Sequence, residues 1–166
     1  MSDSDMPNPR GPESAGVSAV LAVVLATIGF FALAVFGLGA LSVATDSDII
    51  STPGLGQLPG AGGMLVAVVV FALLLAVALR RQHPSFVSAA VIAVSTSLAH
   101  LVAVWIAAAG VTGSLLIGTA VAGGLVRNGT SIVLVVAAGV GAWGGIALRR
   151  TRSQRPRWPW ERDEEE

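Results

Sequence analysis

The stretch Phe86–Val126, FVSAAVIAVSTSLAHLVAVWIAAAGVTGSLLIGTAVAGGLV, decides how this chain folds. It runs for 41 residues without a formal charge and carries a single histidine, His100. About 20 apolar residues suffice for a helix to cross a bilayer. The stretch therefore reads either as one span, 86–109, followed by a Gly-rich segment over 110–129, or as two tight spans turning near Gly110–Gly113. The neighbouring segments are clearer. Gly16–Val43 is an uncharged run of 28 residues, roughly twice the length of a signal-peptide h-region, and the tail before it is not basic. It reads as a first span rather than a cleaved leader. Met64–Leu79 reaches spanning length if Gly62, Gly63 and the stem of Arg80 join it, giving a second span over 62–80. Thr130–Leu148 gives a last span, closed by Arg149 and Arg150.

Arginine placement separates four spans from five, because basic residues in short loops favour the cytoplasmic side. All ten basic residues are Arg. Four spans with the N-terminus inside put Arg10, Arg80, Arg81, Arg149, Arg150, Arg152, Arg155, Arg157 and Arg162 in the cytoplasm and only Arg127 outside; five spans leave four inside and six outside. The sequence thus predicts an all-α integral membrane four-helix bundle, N-in and C-in, with two Gly-rich outer loops at 44–63 and 110–129. The latter is expected as a reentrant turn or an interfacial helix, since irregular backbone at membrane depth must be covered by protein. Residues 1–14, rich in Pro, Ser and Asp, form an expected disordered cytoplasmic tail, 15–149 the membrane domain, and 150–166 a cytoplasmic Arg/Trp segment with an acidic end.

Composition narrows the chemistry. With 54% hydrophobic and 12% charged residues and a mean hydropathy of +0.77, the 166-residue chain is too apolar for an ordinary soluble domain. The absence of Cys removes disulfides, thiolate metal sites and dithiol redox chemistry. The spans carry no Asp or Glu, which argues against a carboxylate-coupled exporter and against membrane transferases that hold metal on Asp-rich helices. His83 and His100 are 17 residues apart, about 25 Å along a helix, and cannot share one ion. No metal and no cofactor is expected. Gly54–Gly60 lacks the Lys and the strand of a phosphate loop and reads as turns. Asn128-Gly129-Thr130 matches a glycosylation sequon against the start of a span and reads as a chance match. A Ser95 or Ser97 nucleophile paired with His100 has no buried carboxylate to orient it.

Three constellations remain. On the third span Ser85, Ser88, Ser95, Thr96 and His100 fall within an arc of roughly 140° at 100° per residue, a polar face directed into the bundle. An intramembrane ionisable residue is a functional-site hypothesis by default. The face reads either as the lining of a solute or proton route or as a neutral His100 bonded to Thr96 or a backbone carbonyl. On the last span Ala137, Gly141 and Gly145 recur every four residues and form a groove where another backbone can approach, within the bundle or in a homo-oligomer. After it, Arg149, Arg150, Arg152, Arg155 and Arg157, followed by Trp158 and Trp160, read as an anchor on an anionic inner leaflet. Trp105 and Trp143 suit interfacial positions.

The Ala/Val/Gly-rich spans, Arg as the sole base and the ending RPRWPWERDEEE resemble the small uncharacterised four-helix membrane proteins of high-GC actinobacteria. The resemblance covers the general layout and the tail, implies a bacterial plasma (inner) membrane location, and brings no site residue with it. The expected function is a non-catalytic structural or accessory membrane subunit. The alternative is a small channel, holin-like or transport component lined by the Ser/Thr/His100 face. Expected partners are the bilayer, anionic lipid, and a homo-oligomer or larger membrane complex; nucleic acid is not expected.

Overall fold

The computed structural model describes residues 18–46, 56, 58–80 and 86–150. A long apolar segment can close all its backbone hydrogen bonds within itself only as a helix. The described chain accordingly forms five α-helices: α1 (Ala19–Thr45), α2 (Leu58–Leu79), α3 (Val87–Thr112), α4 (Leu115–Arg127) and α5 (Thr130–Arg150). Four of them, α1, α2, α3 and α5, are long and apolar enough to cross a membrane; α4 is a shorter apolar helix.

Local chemistry sets the ends. The Ser18 side chain accepts from the Leu21 N–H at 3.1 Å and starts α1, which stops at Asp46 in the left-handed conformation (φ 46°) with its N–H on the Ser42 carbonyl. Gly113, at φ 66°, ends α3, and Ser114 immediately caps α4 by accepting from the Ile117 N–H at 3.4 Å. Segment 110–129, read from sequence as a single outer element, thus holds the end of α3, a tight turn and the whole of α4.

The packing order follows from the contacts. Helices α1, α2, α3 and α5 form a ring in which each touches the next, α2 also touches α5, and α1 and α3 do not meet. Phe30 of α1 stacks on Phe71 of α2 with centroids 4.6 Å apart, at the centre of an apolar core shared by the four helices. Helix α4 packs chiefly on α3. There, a Cβ added at Gly118 would lie 3.0 Å from both Ala109 Cβ and the Trp105 carbonyl oxygen.

The register along α3 shows what α4 and α5 are to each other. Ala109 and Trp105 meet Gly118 and Thr119; Ser97 meets Ser131; Ala93 meets Gly139; Phe86 meets Trp143. As α3 is read backwards, its partners ascend without interruption from α4 into α5. The two helices therefore run in the same direction, antiparallel to α3, as successive segments of one broken helix. The break is Asn128–Gly129: the Asn128 N–H returns to the Gly124 carbonyl, Gly129 takes φ 85°, and the Ile132 and Val133 N–H groups begin again on the Gly129 carbonyl.

Candidate functional site: a buried polar band at the helix break

Among the described residues, the bundle interior is apolar except at one level. In α3, Ala89, Ile92 and Ala93 belong to the four-helix core, whereas Val104 and Ala108 form a second apolar cluster with Val121 and Leu125 of α4. Between them lie Thr96, Ser97 and His100, with relative exposures of 0%, 5% and 4%. Thr130, at the start of α5, is the other buried polar residue among those described, at 1%. The break thus occurs where α3 turns polar.

Contacts from three helices fix this level. The Ser97 hydroxyl donates to the Ser131 carbonyl at 3.3 Å and ties α3 to the first turn of α5. On the α2 side, His100 lies over Gly63: a Cβ built there would be 3.2 Å from both the ring Cδ2 and Nε2, and would also strike Val104. Glycine at 63 is what lets α2 approach the imidazole. Four buried polar atoms have no hydrogen-bond partner among the described residues: Thr96 Oγ1, His100 Nδ1, Thr130 Oγ1 and Ser131 Oγ.

The polar face read from sequence divides in two. Thr96 and His100 lie on the buried stripe, while Ser88 and Ser95 lie half-buried at its margin. Thr130 and Ser131 escaped sequence reading as members of the band because they look like the opening of a span. The Asn-Gly pair before them was the available signal of a turn. Ser85 and Arg81 lie outside the described residues.

The small-residue groove of α5 faces α1 and α2 of the same chain. At Gly141 a Cβ would come 3.1 Å from Phe30 Cβ, 3.2 Å from Phe71 Cζ and 3.3 Å from the Ala26 carbonyl oxygen; at Gly145 it would come 3.0 Å from Ala26 Cβ. Ala137 is buried in the same core. Trp105 donates its indole N–H to Thr119 Oγ1 at 3.2 Å, joining α3 to α4, and the exposed Trp143 lies against Phe86 with centroids 6.2 Å apart. Of the Arg/Trp anchor, Arg149 is described; the Arg150 side chain, Arg152, Arg155, Arg157, Trp158 and Trp160 lie outside the described residues, as does the N-terminal tail 1–14.

Among the described residues, these features define an all-α fold with four helices of membrane-crossing length and character, one polar band and an otherwise apolar interior. Residues 13–166 match the model of a family of unknown function, DUF6121, and the chain belongs to that family. Neither the curated proteins nor the solved structures provide a match.

Proposed function

We propose that this protein is a non-catalytic structural or accessory subunit of a bacterial plasma membrane, inserted as a multi-pass bundle with both termini in the cytoplasm. The observation that carries the reading is the interior on the Arg80/Arg149 side of the polar band. There the stacked Phe30–Phe71 pair, Leu75, Ala138, Ala142 and Ile146 close the core with apolar atoms. A solute route through a single chain is lined by polar groups over much of its length, and among the described residues the buried polar groups occupy one level.

The arginines support the orientation. Arg127 closes α4 at the break, whereas Arg80 and Arg149 lie at the opposite end of the bundle. The helical rise separates positions 127 and 149 by about 33 Å, close to the roughly 30 Å of a hydrocarbon core. The Arg127 guanidinium reaches back toward Gly123, 3.6 Å from where a Cβ would stand, and so points along α4 away from the break. In this arrangement the α3–α4 turn projects on the outer side. The strongly exposed apolar residues of α1, such as Val20, Ile28 and Phe36, meet lipid or a neighbouring membrane subunit, and the basic tail meets anionic lipid.

Extraction in a mild detergent tests the role: a partner membrane protein should co-purify in fixed stoichiometry. In parallel, purified protein in liposomes should pass neither protons nor small solutes. Flux lost on His100→Ala in a variant that still folds and still binds its partner would overturn the accessory reading in favour of a channel or transport component.

A further inference from the structure

We propose that the α4–α5 junction is a water-binding site, in which a small cluster of ordered water is held by Thr96, His100, Thr130 and Ser131. The threonines carry the argument. Thr27, Thr45, Thr112 and Thr119 each donate to the carbonyl four residues earlier, at 2.7–2.9 Å, as a hydroxyl in an apolar helix normally does. Thr96 and Thr130 do not, although they are the most deeply buried of the six described threonines. Thr130 opens α5 directly after the Asn128–Gly129 break, so no regular helical turn precedes it to set a carbonyl against its hydroxyl. Thr96 sits within an unbroken helix, with its hydroxyl unpaired there as well.

The unpaired groups share one level. Ser97 bonds to the Ser131 carbonyl, and Thr96 and His100 lie within a turn of Ser97 on α3. A buried polar atom without a partner is strongly unfavourable, and a water molecule making two to four hydrogen bonds is the usual remedy. The chemistry favours a neutral dipolar guest over an ion. The negative end of the α4 dipole adjoins the positive end of the α5 dipole, so their potentials cancel at the junction and favour neither sign of charge. None of the four groups is a carboxylate, an ammonium or a guanidinium. Arg127, the nearest charged residue along the chain, directs its guanidinium toward Gly123. Three hydroxyls that both donate and accept, with one imidazole nitrogen, match water. Entry is short, because Gly129 lies beside Leu41, one turn before the end of α1 and thus about 6 Å from it.

Water-edited solid-state NMR on the full-length protein in lipid nanodiscs reads the site directly. Magnetisation from water should reach the His100 ring and the Thr130 side chain well before it reaches Ala138 in the dry core. Arrival at His100 no earlier than at Ala138 would overturn the proposal. Thr96→Val gives an independent reading, since valine keeps the shape and removes the hydroxyl. A hydrated cluster loses a partner and the melting temperature falls, with Thr96→Ser recovering most of the loss. In a dry cluster an unpaired group is removed, and an unchanged or raised melting temperature would count against bound water.

Discussion

At the residue scale, the closeness of α5 to its neighbours rests on the missing side chains of particular glycines. In lipid, apolar burial does not draw helices together, so contact quality must do so. The space at Gly141 is bounded by Phe30, Phe71 and a backbone oxygen of Ala26, and the last of these cannot swing aside. Gly141→Val should therefore destabilise the fold by about 1–3 kcal/mol, the usual cost of overpacking. Gly144→Ala, at a position with nothing within 4 Å, should change it by no more than about 0.5 kcal/mol. Thermal denaturation of both variants in the same detergent checks the pair. Phe71→Ala removes a stacked ring from the centre of the core. In the proposed membrane setting lipid cancels much of the transfer term, and the loss should approach the cavity contribution alone, roughly 2 kcal/mol for a void of about 100 Å³.

The scale of elements is governed by the break between α4 and α5. Gly129 holds φ 85°, a conformation that costs a residue with a Cβ about 1–2 kcal/mol. Gly129→Ala should lower stability by that amount, whereas Gly124→Ala, in open space inside α4, should leave it unchanged or slightly raised. Chemical denaturation distinguishes the two. The α3–α4 hairpin has its own fastening in the Trp105–Thr119 hydrogen bond and the Val104/Ala108/Val121/Leu125 cluster. Trp105→Phe keeps most of the packing and loses the indole donor. Faster amide exchange should appear in α4, with α1 and α2 unaffected.

On the scale of the whole molecule, the proposed topology puts the α3–α4 turn and the C-terminal tail on opposite sides of the membrane. The chain has no Cys, so single cysteines report without background. In intact spheroplasts Ser114→Cys should react with a membrane-impermeant maleimide, and Ser153→Cys only after lysis. Labelling of Ser153→Cys before lysis would reverse the proposed orientation of the C-terminus.

Sequence by itself determined the apolar helices. Uncharged runs such as Gly16–Val43 have no way to satisfy their backbone in lipid except as helices, and that constraint is local. It also exposed His100 and Thr96, because polar residues stand out in an apolar run and the helical period gives them a common face. The course of 110–129 was not legible in the same way. Gly and Ser mark where a helix can stop, but the direction of the next one depends on what it can pack against. That was decided by the fit of Gly118 against α3 and of Gly141 and Gly145 against α1 and α2. Only the tertiary structure brought Thr130 and Ser131 to the level of Ser97 and His100, since their nearness depends on contacts between residues more than 30 positions apart. The half-buried placement of Ser88 and Ser95 has the same cause: periodicity defines a face, and the neighbouring helices decide how much of it they cover.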